Sequence, residues 1–398
     1  MKRLYFFRPN LKNHFYLYYS WVSAAKEKGV DVTMFTVMSR QQIKKQINEY
    51  KEVSKLDGVK VIKTPHTTLN MLYTAIYLFF NMLKYKKVGL IAKKVELRPL
   101  RLTKFIFGKN FKYYIEVEGD GLSEYNYLQR NPYKNGFYDD YLFSAKASID
   151  SFAEKIKDAD GLLVLSKAFK EVLLKRHSFL KAEKVQVTST GFVKGRLTFS
   201  AKNRQAFRNK LCIKNEHVFV YAGNVYYSWQ NIKNTLCFFK YYLENVTSNA
   251  KFIILTHKSD QFIVKGFMSK LSLPDEKIVL KEVPNSEVVN YYNAADICVL
   301  LRDNDLMNEV ASPGKIGEYA ASGTPILTSS YIGDYAQLFQ SQDLVAQVDD
   351  VRDFALMARK VQVLLEATDK EKTAFSNWSN DRLSSQNNVN SFIKAFEM

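Results

Sequence analysis

The sequence predicts an α/β protein of two domains, each built on a parallel sheet covered by helices. Short uncharged runs typical of buried strands alternate with stretches of helical periodicity along the chain. The chain also has 398 residues, which is too long for one ordinary core and suits two domains of about 150 to 200 residues. We expect a first domain at 1–192 and a second at 193–374.

Composition indicates a folded protein of a reducing compartment. Hydrophobic residues make up 46% of the chain and aromatic residues 14%, which excludes general disorder. The cysteines Cys212, Cys237 and Cys298 lie singly in apolar surroundings and have neither disulfide nor zinc spacing. The first apolar run, Leu4 to Phe7, is too short for a signal peptide. We therefore expect a cytoplasmic protein.

The net charge of +18 calls for an anionic partner, which would be nucleic acid, anionic lipid or a phosphorylated substrate. The 58 basic residues are spread along the chain, and no helix-turn-helix, zinc-finger or RNP-like pattern is present. The pattern therefore predicts no nucleic acid partner.

The first domain opens with a strand at Arg3 to Phe7, a loop, and a helix from about Phe15 to Lys28 that ends at Gly29. Further strands are predicted at 30–36, 113–118 and 185–190. This is a Rossmann-type start, but it lacks the GxGxxG fingerprint, so the sequence predicts no dinucleotide cofactor.

The stretch from Leu69 to Lys87 is the most apolar helix of the sequence. Its uncharged part ends at Leu83, short of the roughly 20 residues that a membrane span needs. It is followed by a basic group consisting of Lys84, Lys86, Lys87, Lys93, Lys94, Arg98, Arg101 and Lys104. Two interpretations stay open: a lipid-facing helix on an anionic leaflet, where each cation adds about 1 kcal/mol, or a buried helix with solvated lysines.

In the second domain, the sequence predicts strands at 218–224, 252–256, 278–280 and 297–301, and a helix at 287–295. After the last strand comes a polar loop, a helix that Gly323 stops, and a new strand from Ile326. In such a βαβ unit, ligands lie at the carboxyl ends of the strands, near helix N-termini.

The loop before that helix and the helix start have residues that can bind an anion and an adjoining sugar diol. Ser312 and Gly314 can present backbone N–H groups, Lys315 adds a charge, and the helix dipole is positive at the same end. Glu318 can accept two hydrogen bonds from a vicinal diol such as ribose. Taken alone, Glu318 also fits compensation of the helix dipole, and Lys315 fits an ordinary solvated lysine.

The segment from Glu318 to Pro325 resembles the donor-site motif Glu-x-x-Ala-x-Gly-x-Pro of glycosyltransferase family 4. The resemblance implies the GT-B fold: two Rossmann-like domains facing across a cleft, with a C-terminal helix, here 375–398, crossing back to the first domain. It also implies that Glu318 holds the donor ribose. The family usually has a second Glu eight positions earlier, but Val310 stands there and Glu309 is one residue away.

The resemblance implies further site residues. The implied donor-binding residues are Gly223, Asn224, His257, Lys258, Val283, Arg302, Ser312, Pro313, Gly314, Lys315 and Glu318. The family often has a glycine-rich first loop near the acceptor. This loop lacks the glycines, which leaves Asn10 and His14 as the acceptor-side candidates, with a plain helix-start role as the alternative for His14. Glu118 and Asp120 stand where the family has an acidic or His-Asp loop, so either can orient or deprotonate an acceptor hydroxyl, although a solvated acidic turn is the alternative.

The function implied is a bacterial, peripheral-membrane glycosyltransferase of hexosyltransferase type. It would move a sugar from a nucleotide diphosphate to a polysaccharide (capsule or lipopolysaccharide) or lipid-linked acceptor, with retention and with Lys315 stabilising the departing diphosphate. We expect no cofactor and no metal, although Asp303-Asn304-Asp305 has the DxD form of metal-binding GT-A enzymes. The alternatives are a nucleotide-sugar epimerase of the same fold and a non-catalytic nucleotide- or nucleic-acid-binding protein.

Overall fold

The computed structural model describes residues 2–7, 15–85, 87–92, 98–131, 146, 149–157, 159–387, 389 and 393. The chain divides into two compact units. Unit 1 comprises Met1–Glu118, Ser148–Val193 and Ser385–Met398, and unit 2 comprises Gly119–Ala147 and Lys194–Ser384.

Unit 1 is a seven-stranded, entirely parallel sheet with helices. Its strands are β1 Lys2–Phe7, β2 Val32–Ser39, β3 Val59–Thr64, β4 Lys87–Ala92, β5 Phe111–Val117, β6 Gly161–Val164 and β7 Val185–Val187, in the spatial order β3-β2-β1-β4-β5-β6-β7. Its helices are α1 Phe15–Glu27, α2 Arg40–Lys45, α3 Ile47–Val53, α4 Asn70–Lys84, α5 Arg98–Phe107, α7 Phe152–Lys157 and α8 Lys167–Arg176. All eight residues of β2 are buried, as expected for a strand covered on both faces.

Unit 2 contains a six-stranded parallel sheet. Its strands are β8 His217–Ala222, β9 Ala250–Leu255, β10 Ile278–Lys281, β11 Ile297–Leu300, β12 Ile326–Ser329 and β13 Val345–Val348, in the order β10-β9-β8-β11-β12-β13. Its helices are α6 Gly121–Arg130, α9 Ala201–Lys210, α10 Ile232–Asn245, α11 Gln261–Leu271, α12 Val288–Ala294, α13 Leu306–Glu309, α14 Gly314–Ala321, α15 Tyr335–Leu338, α16 Phe354–Leu365 and α17 Asp369–Leu383. The strand order reverses between β8 and β11, and the crevice at such a reversal is where open α/β sheets bind ligands.

The return of the chain to unit 1 begins at Ser385, ten residues after the predicted 375. Helix α17 groups with unit 2 because its buried polar side chains bond to that unit: Ser376 Oγ donates to the Ala321 carbonyl at 2.5 Å, and Asn380 Nδ2 donates to the Leu197 carbonyl at 2.9 Å. Beyond it, Val389 is buried in the unit 1 core with Trp21.

The prediction that this helix extends to Lys87 was wrong. Helix α4 stops at Lys84, and Lys87 begins β4, whose Val88 and Leu90 are fully buried in the sheet. Lys86, Lys93 and Lys94 lie outside the described residues. In the part of the chain that the structure describes, no helix combines the length and apolar character that crossing a bilayer requires.

Candidate functional site

The site is built around Gly223, the first residue after β8. Gly223 has φ +133°, and a Cβ at this position would overlap Cε and Nζ of Lys315. The positive φ favours a glycine at this position, and the absence of a Cβ leaves room for the lysine to approach closely. The loop after β8 and the first turn of α14 meet at this point.

Lys315 is half-buried, and its ammonium group is hydrogen-bonded to neutral groups. Its Nζ donates to Tyr221 Oη and to Gln230 Oε1, both at 3.1 Å, and lies 4.8 Å from the centre of the Tyr221 ring. Burial, helped by the nearby charge of Arg302, lowers the pKa of Lys315 to about 7, while Glu318 opposes this shift. The ammonium form is thus poorly stabilised in the unliganded protein.

Arg302 is the second cation of the site, and it is 7% exposed. Its guanidinium donates to the Trp229 carbonyl at 2.8 Å and to Gln230 Oε1 at 3.1 Å, and burial lowers its pKa. Gln230 Oε1 therefore accepts from both cations. Among the described residues, no carboxylate lies within ion-pairing distance of Arg302 or Lys315.

The N-terminus of α14 adds to the positive potential. Pro313 occupies the cap without a side-chain cap bond, and the Ile316 N–H donates to the Pro313 carbonyl at 3.0 Å. The N–H groups of Gly314 and Lys315 precede this bond and lie outside the helical ladder. Together with the dipole, they favour an anion beside the two cations.

Glu318, one turn further along α14, is held by two partners. Arg196 lies 3.5 Å from its Oε1, and Tyr292 donates its hydroxyl to Oε2 at 3.2 Å. The Glu318 side chain is 25% exposed, and partial burial raises the pKa of its carboxyl group. Glu318 is therefore oriented by the protein, with part of its carboxylate accessible to a ligand.

The loops after β9 and β10 are joined by Glu282. Its Oε1 lies 3.1 Å from His257 Nδ1, and its Oε2 accepts the Lys258 N–H at 3.0 Å. Hydrogen bonding to His257 lowers the pKa of Glu282. His257, Lys258 and the adjoining Val283 thus form one partly exposed edge, more than half exposed at His257.

Asn224 serves the turn itself. Its Oδ1 accepts the Tyr226 N–H at 2.5 Å, and its carbonyl accepts the Tyr221 hydroxyl at 2.7 Å. These contacts position Tyr221 under Lys315, which makes Asn224 a positioning residue in this structure.

Asp303 and Asp305 bind protein groups. Asp303 accepts from Asn231 at 2.8 Å and from the Tyr127 hydroxyl at 2.5 Å, whereas Asp305 caps α13 and pairs with Arg130 at 2.5 Å. Across the described ranges, no group of three or more His, Cys, Asp or Glu side chains is arranged to hold a metal ion.

The two predicted carboxylates, Glu118 and Asp120, belong to different units. Glu118 follows β5 in unit 1, and the buried Asp120 precedes α6 in unit 2, where it accepts from the Ser123 hydroxyl. Asn10 and His14 lie outside the described residues.

Sequence reasoning missed four residues that shape the site: Tyr221, Gln230, Arg196 and Tyr292. Tyr221 lies inside an apolar strand, and Tyr292 lies on a helix whose pattern indicates only burial. Gln230 had a usable signal, because it is a polar residue two positions before α10, in the first loop of a Rossmann-type unit, where ligands bind.

The first comparison with known proteins concerns a segment of unit 2. Residues 203–378 match the family model described as "Glycosyl transferases group 1". This part of unit 2 is similar to that family. No sequence among curated proteins matches the chain.

Solved structures match the whole chain in fold. Anabaena HepE in complex with UDP and glucose has a TM-score of 0.66 at 14% identity, covering 99% of this chain and 98% of that one. An S. aureus TarM mutant in complex with Fondaparinux, alpha-GlcNAc-glycerol and UDP has a TM-score of 0.69 at 9% identity, covering 100% of both chains. A glycosyltransferase from Rickettsia africae has a TM-score of 0.65 at 12% identity, covering 100% and 98%. These likenesses confirm the GT-B fold.

Proposed function

We propose that this protein transfers a sugar, of hexose type, from a nucleotide-diphosphate donor to a polysaccharide or lipid-linked saccharide acceptor in bacterial surface-polysaccharide assembly. The observation that carries the proposal is a pair of cations, the buried Arg302 and the half-buried Lys315, without an ion-paired carboxylate among the described residues. They lie at the strand-order reversal of a glycosyl transferases group 1 domain.

The electrostatics of this pair favour a diphosphate. Shielding a cation from water without a counter-ion is costly, and the lowered pKa of Lys315 reflects that cost. A diphosphate would supply the missing negative charge to Lys315, Arg302 and the N–H groups of α14 at once. Glu318 would then accept from the ribose hydroxyls while Arg196 and Tyr292 hold its orientation.

The same groups suit the chemistry of transfer. As the bond between the anomeric carbon and the donor phosphate breaks, negative charge grows on the departing diphosphate, and preorganised donors stabilise it there. The acceptor hydroxyl forms the new bond to the anomeric carbon and loses its proton. Glu118 and Asp120 are the carboxylates proposed to orient that hydroxyl or take the proton. We infer retention of configuration and a reaction at the cytoplasmic face of the membrane.

The solved relatives suggest which donor to test first. The structures of HepE hold UDP, UDP with glucose, and UDP-glucose, and the TarM complex holds UDP. These contents support uridine diphosphate sugars as the opening set for this chain, with guanosine diphosphate sugars as the comparison.

A turnover assay separates the candidate functions. The protein is incubated with UDP- and GDP-sugars, with and without a membrane or polysaccharide fraction, while free nucleotide diphosphate and sugar identity are followed. Nucleotide release that requires acceptor supports the transferase, a changed sugar without acceptor supports an epimerase, and no turnover with any donor supports a binding protein.

Two variants connect the assay to the site. Lys315→Met and Arg302→Met each remove one charge from the phosphate contact, and we expect each to lower turnover about 10²- to 10³-fold, as for loss of one oxyanion donor. The exposed Lys265, on α11, provides the matched control, and Lys265→Met should retain full turnover. Equal rates for all three variants would contradict the assignment of the site.

A further inference from the structure

Helix α4 of unit 1 turns an apolar face outward. Leu72, Ile76, Phe80 and Leu83 are spaced four, four and three residues apart, which places them on one side of the helix. Their exposed fractions are 54%, 43%, 65% and 65%. The opposite side, with Thr74, Leu78 and Met82, is buried against the unit. The helix is therefore anchored by one face and leaves a second apolar face in solvent.

Helix α5 extends this face. It packs beside α4, where the Phe79 and Phe107 rings are 5.4 Å apart. It adds Phe105, exposed at 87%, and Ile106, exposed at 52%. We call the combined surface the apolar platform; its members are Leu72, Ile76, Phe80, Leu83, Phe105 and Ile106. Exposed apolar surface of this kind marks an interaction site.

The charge around the platform is one-sided. The sequence from 58 to 115 contains twelve lysines and arginines and a single acidic residue, Glu96. Among the described residues, Lys84 directly follows Leu83, Lys109 lies three positions after Ile106, and both side chains are exposed. Lys104, in contrast, pairs with Asp160 at 3.0 Å.

We propose that the apolar platform is a docking surface for an anionic lipid bilayer, with Phe80, Leu83 and Phe105 entering the headgroup boundary and Lys84 and Lys109 binding lipid phosphates. Lysine beside aliphatic and phenylalanine side chains is the composition of interfacial helices, whereas protein interfaces are depleted in lysine. A second copy of the chain would bring the same cations face to face. This inference extends the membrane part of the proposed function.

The test is sedimentation of the whole protein with vesicles of neutral phosphatidylcholine and with vesicles containing anionic phosphatidylglycerol, at low and high salt. We expect binding to anionic vesicles that salt releases. Lys84→Gln combined with Lys109→Gln should weaken it about 25-fold, since each cation near the surface contributes about fivefold. Lys202→Gln with Lys265→Gln, two exposed lysines of unit 2, is the matched control and should bind as the wild type does.

The apolar contribution has its own variants. Phe80→Ser combined with Phe105→Ser should lower binding to anionic vesicles at least tenfold. Phe262→Ser, at a phenylalanine of unit 2 that is 60% exposed, should leave it unchanged. Because the mutated side chains are exposed, unchanged thermal unfolding is expected for all variants.

Three results would overturn the proposal. They are equal binding of the wild type to neutral and anionic vesicles, unchanged binding of the Phe80 and Phe105 variant, and self-association in sedimentation velocity that this variant abolishes. None of these measurements uses a nucleotide sugar. Failure of donor turnover and failure of membrane docking are therefore separate outcomes.

Discussion

Binding of a nucleotide diphosphate should take up a proton, because Lys315 has a pKa of about 7 in the unliganded protein. At pH 8, about nine-tenths of this lysine is neutral. A diphosphate beside Nζ favours the charged form and raises the pKa, so binding at pH 8 should draw close to one proton from solution. Above pH 7, the affinity should fall about tenfold per pH unit until the pKa of the complex is reached.

Calorimetric titration with UDP at pH 8, in buffers of different ionisation enthalpy, measures this uptake. UDP itself is fully ionised there, since a terminal phosphate has its last pKa near 6. The slope of binding enthalpy against buffer enthalpy should be close to one proton for the wild type and for Lys265→Met. It should be near zero for Lys315→Met, which also loses about 10- to 100-fold in affinity.

A wild-type slope of zero at pH 8 would refute the reasoning. It would mean that Lys315 either keeps its charge without ligand or does not contact the diphosphate. Uridine, which lacks phosphates, provides the second check: its affinity should be equal in the wild type and Lys315→Met at every pH.

Three further predictions concern the same site. Lys315→Met should raise the thermal stability of the free protein, because the pKa of the Lys315 ammonium is lowered in the folded state. The gain should be full below pH 7 and vanish as pH approaches the ordinary lysine value of 10.5. Scanning calorimetry across pH measures it, and a gain that grows with pH would contradict the reasoning. Glu318→Gln should weaken binding of UDP more than binding of 2′-deoxy-UDP. If Glu318 only compensates the helix dipole, the substitution would instead lower stability by about 0.3 to 1 kcal/mol and leave the ratio of the two affinities unchanged. Gly223→Ala should displace Lys315 and strain a backbone at φ +133°, at a cost of about 1 to 3 kcal/mol in stability. The affinity for UDP should then fall as it does in Lys315→Met. A normal affinity would show that the lysine has room to move.

Much of the site is local in sequence and was predictable. Ser312 to Glu318 occupy one loop and one helical turn, so the anion site proposed here follows from spacing and from the dipole of α14. The parallel sheets followed from the alternation of strands and helices. These are properties of adjacent residues, which a sequence records directly.

What the sequence did not show depends on contacts between distant segments. Gln230 meets Lys315 across 85 positions, and Arg196 meets Glu318 across 122, so neither pair has a periodic signal. Strand β4 was missed for a different reason. Only Lys87 of this strand lay in the predicted helix, and the run from 88 to 92 received no assignment; its place between β1 and β5 determines the extended conformation.

Gln230 lies between Arg302 and Lys315 and is an amide, not a carboxylate. A glutamate of the same length would receive the same hydrogen bonds, and it would also act as a resident counter-ion that competes with any incoming phosphate. The neutral oxygen keeps both side chains in place without cancelling their charge. The free protein is therefore less stable than it would be with a glutamate at this position. A bound phosphate supplies the missing stabilisation.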